Sequence, residues 1–227
     1  MRLREVSELL FSAYGPQGWW PLLKRGRICY SPAFSRRAMK PRERFEIAVG
    51  AIMAQSTAWT NVEKAMQTLG EKHLLSPERL AETSLPRLAR FIRSSGYHTQ
   101  KARKLRIFSR FALSGAPWTR ERLLGLWGIG PETADSILLY GLREPRFVVD
   151  AYARRILQRL GLLAGTESYE TLQQLFQQEL PADPALFNEF HALLVRLGKE
   201  VCRPEPLCGR CPLQASCSTG QKRKRGL

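Results

Sequence analysis

Leu126-Trp127-Gly128-Ile129-Gly130-Pro131-Glu132-Thr133-Ala134-Asp135 is the stretch that decides how the rest of the chain is read. Leu123, Leu124 and Trp127 approach it with helical spacing, and Ile137, Leu138 and Leu139 continue beyond it. Between the two apolar runs, Gly128 and Gly130 allow the backbone to turn tightly and let its amides come close to a partner. Pro131 presets the first turn of a new helix, whose leading N–H groups have no intrahelical acceptor and suit a phosphate. A Gly-x-Gly pair by itself is ordinarily only a turn. Set between two helices in a strongly basic chain, Gly128, Gly130 and Thr133 read as a grip on a nucleic-acid backbone.

The basicity is large: 36 Lys plus Arg against 20 Asp plus Glu give +16 over 227 residues. Four of those charges sit in the run Lys222–Arg225, and taking four from sixteen leaves +12 on the body, so the excess is not a tail effect. Such a field favours a polyanionic partner, nucleic acid first and a membrane surface second. A hydrophobic content of 44% excludes simple disorder. The longest charge-free stretch, Ile47 to Val62, is too short for a bilayer span and contains Gln55, Ser56, Thr57, Thr60 and Asn61. Glu5 and Glu8 argue against a secretory leader, so a cytoplasmic location is expected.

Helical periodicity extends to Phe45, Ala48, Val49, Ile52 and Met53, and helix starts are marked at Ser76-Pro77-Glu78, at Thr83 or Ser84 before Leu85-Pro86, and at Thr119 before Glu121. No internal repeat and no β-hairpin signal is found. Arg146–Val149 is the one candidate extended piece, and it is short enough to be a loop. The fold class expected is all-α. Prolines punctuate the chain without a long Gly/Ser linker, which predicts two interwoven domains: residues 36–144, carrying the hairpin at about 123–139, and residues 1–35 joined to 145–227.

Three further features carry chemistry. In Phe147-Val148-Val149-Asp150-Ala151-Tyr152-Ala153-Arg154-Arg155-Ile156, an acidic residue follows an apolar run and precedes a basic amphipathic helix. Asp150 is first of all a helix N-cap, and beside bound DNA its carboxylate could also stabilise positive charge on a deoxyribose or activate a water. Cys202-x5-Cys208-x2-Cys211-x5-Cys217, loosened by Pro204, Pro206 and Pro212, groups four of the five cysteines in a pattern that suits a metal, zinc or an iron–sulfur cluster, better than disulfides. Cys29 reads as a small buried residue. His73, His98 and His191 show no ligand spacing and no acidic partner, and are assigned to surface or core.

Together, the hairpin, the downstream Val149-Asp150 and the cysteine group resemble the helix-hairpin-helix DNA glycosylases of the endonuclease III type, over about Glu43 to Cys217. The resemblance implies two helical domains with a DNA-binding cleft, double-stranded DNA with damaged bases as partner, and extrusion of the damaged nucleotide. A monomer is expected. It implies that Asp150 is catalytic, that Gln55 in Ile52-Met53-Ala54-Gln55-Ser56-Thr57 enters the space the flipped base leaves, and that the cysteines hold a [4Fe-4S] cluster. Lys101 and Arg103, in the segment following Gly96-Tyr97-His98, are expected phosphate contacts, as is Arg154; Arg203 or Arg210 would contribute one from the cysteine loop, whose first gap is one residue shorter than the family's six. Glu132 occupies the place of the Schiff-base lysine of the bifunctional enzymes. A carboxylate forms no imine, so lyase activity should be weak or absent unless Lys101 or another lysine substitutes.

Tyr14-Gly15-Pro16-Gln17-Gly18-Trp19-Trp20-Pro21 and Thr57-Ala58-Trp59-Thr60-Asn61 look like segments of the 3-methyladenine DNA glycosylase III branch, which would place Trp19, Trp20 and Trp59 at a base pocket suited to a cationic alkylated purine. Members of that branch without a cluster differ from this chain. The expectation is a monofunctional glycosylase acting on an alkylated purine. Its rivals are a uracil or mismatched-thymine glycosylase with Trp19 and Trp20 in the core, a bifunctional glycosylase/lyase, a non-catalytic DNA-binding module, and a redox sensor built on the cluster.

Overall fold

The computed structural model describes residues 2–224. In chain order it forms α1 (Leu3–Tyr14), a hairpin of β1 (Leu22–Lys24) and β2 (Arg27–Cys29), then α2 (Pro41–Ala54), α3 (Trp59–Glu71), α4 (Pro77–Glu82), α5 (Leu85–Phe91), α6 (His98–Leu113), α7 (Arg120–Leu124), α8 (Pro131–Ser136), α9 (Ala151–Leu160), α10 (Tyr169–Glu179), α11 (Pro184–Glu200) and α12 (Ser218–Lys224). A π-helical turn, Ile137–Leu142, prolongs α8. The fold is thus all-α apart from one short antiparallel pair. Among the described residues, no helix is long and apolar enough to cross a membrane. Of the basic C-terminal run, Lys222, Arg223 and Lys224 form the end of α12, and Arg225 lies outside the described residues.

Two compact units are present, Trp20–Glu144 and the N-terminal residues up to Trp19 combined with those from Pro145 onward. Residues 20–35, expected with the terminal segments, belong instead to the central unit. The reason is packing on α2. Trp20 is 4% exposed, and a Cβ on Gly50 would stand 2.9 Å from its Cζ2. The Leu23 amide donates to the Glu46 carboxylate, and Lys24 Nζ lies 2.7 Å from Glu43 Oε1.

Helix α2 is the axis of the central unit. Pro41 occupies its first turn, the Glu43 carboxylate accepts from the Lys40 amide at 3.0 Å, and Phe45, Ile47, Ala48, Val49, Ala51, Ile52 and Met53 are all buried. From Phe45 to Met53 the helix is buried on every side, Glu46 included, which is why its stripe is broader than the sequence pattern suggested. Ser76 and Thr119 cap α4 and α7 as expected, accepting from the Arg79 and Arg122 amides. The β-hairpin was not anticipated. Its two-residue turn, Arg25-Gly26, has positive φ at both positions (49° and 78°), the geometry ordinarily signalled by Asn-Gly or Asp-Gly.

In the other unit, α9 and α1 both pack on α11. Phe147–Val149 is not a strand. The Phe147 amide donates to Gln177 Oε1 (3.2 Å), its carbonyl accepts from Gln173 Nε2 (2.7 Å), and its ring stacks on Phe176 with centroids 3.7 Å apart. Two glutamines of α10 thus supply what a neighbouring strand would have, and the apolar run is buried as a loop.

Candidate functional site

The hairpin is built as its glycines and proline dictate. Gly128 is in the left-handed region (φ 83), and Gly130, extended, caps α8 with Pro131 in the first turn. The two glycines serve different ends. A Cβ on Gly128 would fall 2.5 Å from Lys104 Cε, so that position is closed by a neighbour, whereas one on Gly130 would meet nothing within 4 Å. Open space above a helix N-terminus is where an anion can approach. The Asp135 carboxylate, fully buried, receives the Arg120 guanidinium at 2.9 and 3.3 Å and ties α7 to α8. Glu132 is exposed on the first turn of α8, and Thr133 is buried beside it.

Gln55 reaches this hairpin from the end of α2. Its Nε2 donates to the Gly128 carbonyl (3.0 Å) and to Thr133 Oγ1 (2.9 Å). The Thr133 hydroxyl accepts from Gln55 and keeps its O–H as a donor. Lys101 corrects the sequence expectation. It is 1% exposed, its Nζ donates to the Met53 carbonyl (2.8 Å) and the Ser95 carbonyl (2.6 Å), and burial pushes its pKa down to about 8. An ammonium sealed against two carbonyls is a structural clasp, not a phosphate contact. Arg103, two residues on, is exposed and stacks over the Trp127 ring at 4.5 Å. Trp127 itself is 48% exposed, so cation and indole form one solvent-facing pair on the hairpin.

Trp20 and Trp59 meet edge to face at 4.9 Å, and the Tyr140 ring lies 5.1 Å from that of Trp20. Trp59 Nε1 donates to Tyr30 Oη (2.7 Å) and Glu63 Oε1 (3.1 Å), and Tyr30 donates to the same carboxylate oxygen at 2.5 Å. Burial and this carboxylate raise the Tyr30 phenol well above its ordinary pKa. Trp20 is interior; half-buried Trp59 and exposed Tyr30 are the parts of this aromatic group that solvent reaches. Trp19 falls in the other unit and is half-buried there.

Asp150 caps α9: Oδ1 accepts from the Ala153 amide at 2.7 Å. Oδ2 lies 3.7 Å from His191 Nε2, on α11. His191 therefore does have an acidic partner, contrary to the sequence reading, and burial pushes its pKa down while Asp150 opposes the shift. The pairing joins residues far apart in the chain, and no local pattern signals it. Arg154 is half-buried, with NH1 donating to the Glu167 carbonyl at 2.6 Å.

Cys202, Cys208, Cys211 and Cys217 are all half-buried and line one small cavity. Among the described residues, no group of three or more His, Cys, Asp or Glu side chains has the geometry to hold a metal ion; the four cysteines instead line one cavity. The Cys211 thiol is pushed up to about 11, by burial first and then by the other three cysteines, so negative charge there needs a cationic centre to offset it. Arg159 NH1 donates to Cys202 Sγ at 3.4 Å and its NH2 to the Pro204 carbonyl at 2.7 Å, while Arg155 donates to the Cys202 and Gly198 carbonyls, both at 2.9 Å. An all-thiolate donor set spread around a cavity, with guanidinium support, fits an iron–sulfur cluster.

The sequence profile of the HhH-GPD superfamily of base excision DNA repair proteins matches residues 49–182, a span that contains Gln55, the hairpin and Asp150. The chain belongs to that superfamily. A protein of Methanocaldococcus jannaschii, provisionally named a DNA repair glycosylase, is 33% identical to it over 94% of each chain. The same fold is found in an endonuclease III solved in a non-covalent complex with DNA (TM-score 0.78, 21% identity, 98% of this chain and 97% of that one). It is also found in the H. pylori 3-methyladenine DNA glycosylase bound to 1,N6-ethenoadenine (TM-score 0.66, 24% identity, 88% of this chain and 98% of that one).

Proposed function

We propose that this HhH-GPD protein is a monofunctional DNA glycosylase of base excision repair that removes an alkylated purine such as 3-methyladenine from duplex DNA by hydrolysis. The observation that carries the reading is Asp150. One oxygen of its carboxylate is committed to the cap of α9, and the other lies 3.7 Å from His191, uncommitted to the cap. Water adds to C1′ of the deoxyribose and gives a proton to this carboxylate, and the N-glycosidic bond breaks with its electron pair leaving on the base. An N-alkylated purine cation departs as a neutral base, so no acid need protonate it. The family's wedge role falls to Gln55, and the backbone is held at Gly128 and Gly130, with Arg103 stacked on Trp127 of the hairpin and Arg154 in the helix that Asp150 caps. Glu132 stands on the hairpin where a lyase amine would be required, and the sealed Lys101 is no substitute, which supports the monofunctional reading.

Trp59 and Tyr30 offer exposed aromatic surface to a cationic base, with Trp20 behind Trp59. Cys202, Cys208, Cys211 and Cys217 would hold a [4Fe-4S] cluster, which when bound supplies a redox-capable centre and braces the loop that carries them. One observation favours a second reading: the depth of Trp20 in the interior suits a uracil or mismatched-thymine glycosylase, in which that indole is core.

The test is chromatography of bases released from methylated duplex DNA and from uracil-containing duplex DNA, with strand cleavage scored separately. Release of 3-methyladenine without strand cleavage is expected. Release of uracil alone would move the assignment to the second reading, and strand cleavage trapped by borohydride would overturn the monofunctional claim.

A further inference from the structure

Gln55 is the C-cap of α2, and the residue after it, Ser56, takes a left-handed backbone (φ 51) that few residues with a Cβ adopt. The chain therefore turns back sharply and delivers the Gln55 carboxamide to the hairpin. There, besides the bonds to Gly128 and Thr133, its Oε1 accepts from Lys104 Nζ at 2.6 Å. The orientation of the carboxamide is fixed twice over. The Gly128 carbonyl can only accept and the Lys104 ammonium can only donate, so turning the amide over would set NH2 against NH3+ and oxygen against oxygen. Lys104 is itself confined, since its methylenes lie so close to Gly128 that a Cβ there would collide with them. One turn earlier on α6, Lys101 clasps the Met53 carbonyl in the last turn of α2. Two lysines of one helix thus hold the backbone and the side chain of the same short segment.

We infer that Lys104 is the positioning residue of Gln55: it fixes which edge of the carboxamide faces the base left unpaired when the damaged nucleotide is extruded, and so sets the enzyme's preference for the opposite base. The inference rests on the wedge role proposed for Gln55. With its acceptor oxygen held by the Lys104 ammonium and its NH2 edge committed to the hairpin side, the carboxamide meets the unpaired base in one orientation. Loss of the ammonium leaves only the Gly128 and Thr133 acceptors to orient it, so the edge is held less firmly.

The experiment uses the full chain and a duplex bearing a tetrahydrofuran abasic analogue opposite 2-aminopurine, which reports on the unpaired base whatever lesion the enzyme excises. Wild type, Gln55→Ala, Lys104→Met, Lys104→Arg and the double variant Gln55→Ala/Lys104→Met are compared for affinity and for the fluorescence change on binding. Methionine keeps the methylenes that pack on Gly128, and arginine keeps a donor if methionine impairs folding. Gln55→Ala and Lys104→Met should each reduce the fluorescence change about threefold, the double variant should show no further loss, and Lys104→Arg should retain most of it. The spread of affinities across the four opposite bases should narrow to the same extent in both single variants. Additive losses, or a Lys104→Met variant that loses affinity while keeping the fluorescence change, would make Lys104 an independent phosphate contact and overturn the inference with the wedge reading intact. Wild-type behaviour of Gln55→Ala would instead remove the wedge reading, and this inference with it.

Discussion

The hairpin at 126–136 and the cysteine loop at 202–217 are both short, glycine- or proline-rich segments proposed to act on DNA or support that action, yet they are held by opposite means. The hairpin is determined by its own chain: a left-handed glycine, a proline in the first helical turn, the Arg120–Asp135 pair and the Gln55 carboxamide leave it ordered by packing and hydrogen bonds alone. The cysteine loop contributes two single 3-10 turns, four half-buried thiols around a cavity, and one buried apolar anchor in Leu213. Its order leans on Arg155 and Arg159 and on the cluster proposed for its four sulfurs. The lesson is that a surface meant to grip a partner can be prefolded, whereas a loop built around a bound group makes that group part of its core.

The largest way to break this contrast is to remove the group. Iron chelation, or Cys208→Ser, should lower the thermal midpoint by about 10 °C, a few kcal/mol for a chain of this size. Amide exchange should rise across residues 202–217 and stay slow across 126–136. Equal loss of protection in both would show that the hairpin depends on the loop as well.

A smaller effect separates the two basic residues of α6 that the sequence placed together. Lys101→Met should cost about 2 kcal/mol of stability in a denaturant titration, because two buried carbonyls lose their donor, while the salt dependence of DNA binding stays that of wild type. Arg103→Ala should leave stability within about 0.5 kcal/mol and reduce the slope of log affinity against log salt by about one. Exchange of those two outcomes would reverse the assignment of Lys101 as clasp and Arg103 as contact.

The smallest effect concerns how firmly the β-hairpin is seated on α2. Glu46 is buried, and desolvation raises its pKa from 4.5 to about 7 despite the Leu23 amide it accepts from. Since the folded state holds that proton more tightly than the unfolded chain, the contribution is fully present below pH 4.5 and is lost as pH rises through about 7. Glu46→Gln should flatten that slope and stabilise the protein at pH 8 by about 1–2 kcal/mol. An unchanged pH profile would show that Glu46 does not titrate in this window.

What the sequence made legible was whatever residue identity imposes locally. Gly128, Gly130 and Pro131 restrict their own dihedrals, Thr119 and Ser76 cap the helices that follow them, and Asp150 caps α9, so hairpin and helix starts could be placed before any contact was known. What stayed hidden depended on where a side chain goes after folding. Lys101 and Arg103 look alike in sequence, and only the packing of α6 seals one and exposes the other. Arg25 gives no sign of the left-handed turn that joins β1 to β2. The His191–Asp150 and Lys104–Gln55 pairs cross long stretches of chain. The four cysteines were readable as a metal-binding set because their spacing is local, and the fit of that set to a cluster came from how the loop arranges them around a cavity.

The most direct test of the account is Asp150→Asn, measured by single-turnover base release from methylated duplex DNA together with DNA affinity and thermal midpoint. Asparagine keeps an oxygen for the Ala153 amide and so preserves the cap, but it cannot accept the proton from water. The account predicts a loss of excision of at least about 100-fold with affinity within about threefold of wild type. Excision at the wild-type rate, with the cap and binding intact, would contradict it and reduce Asp150 to a helix cap.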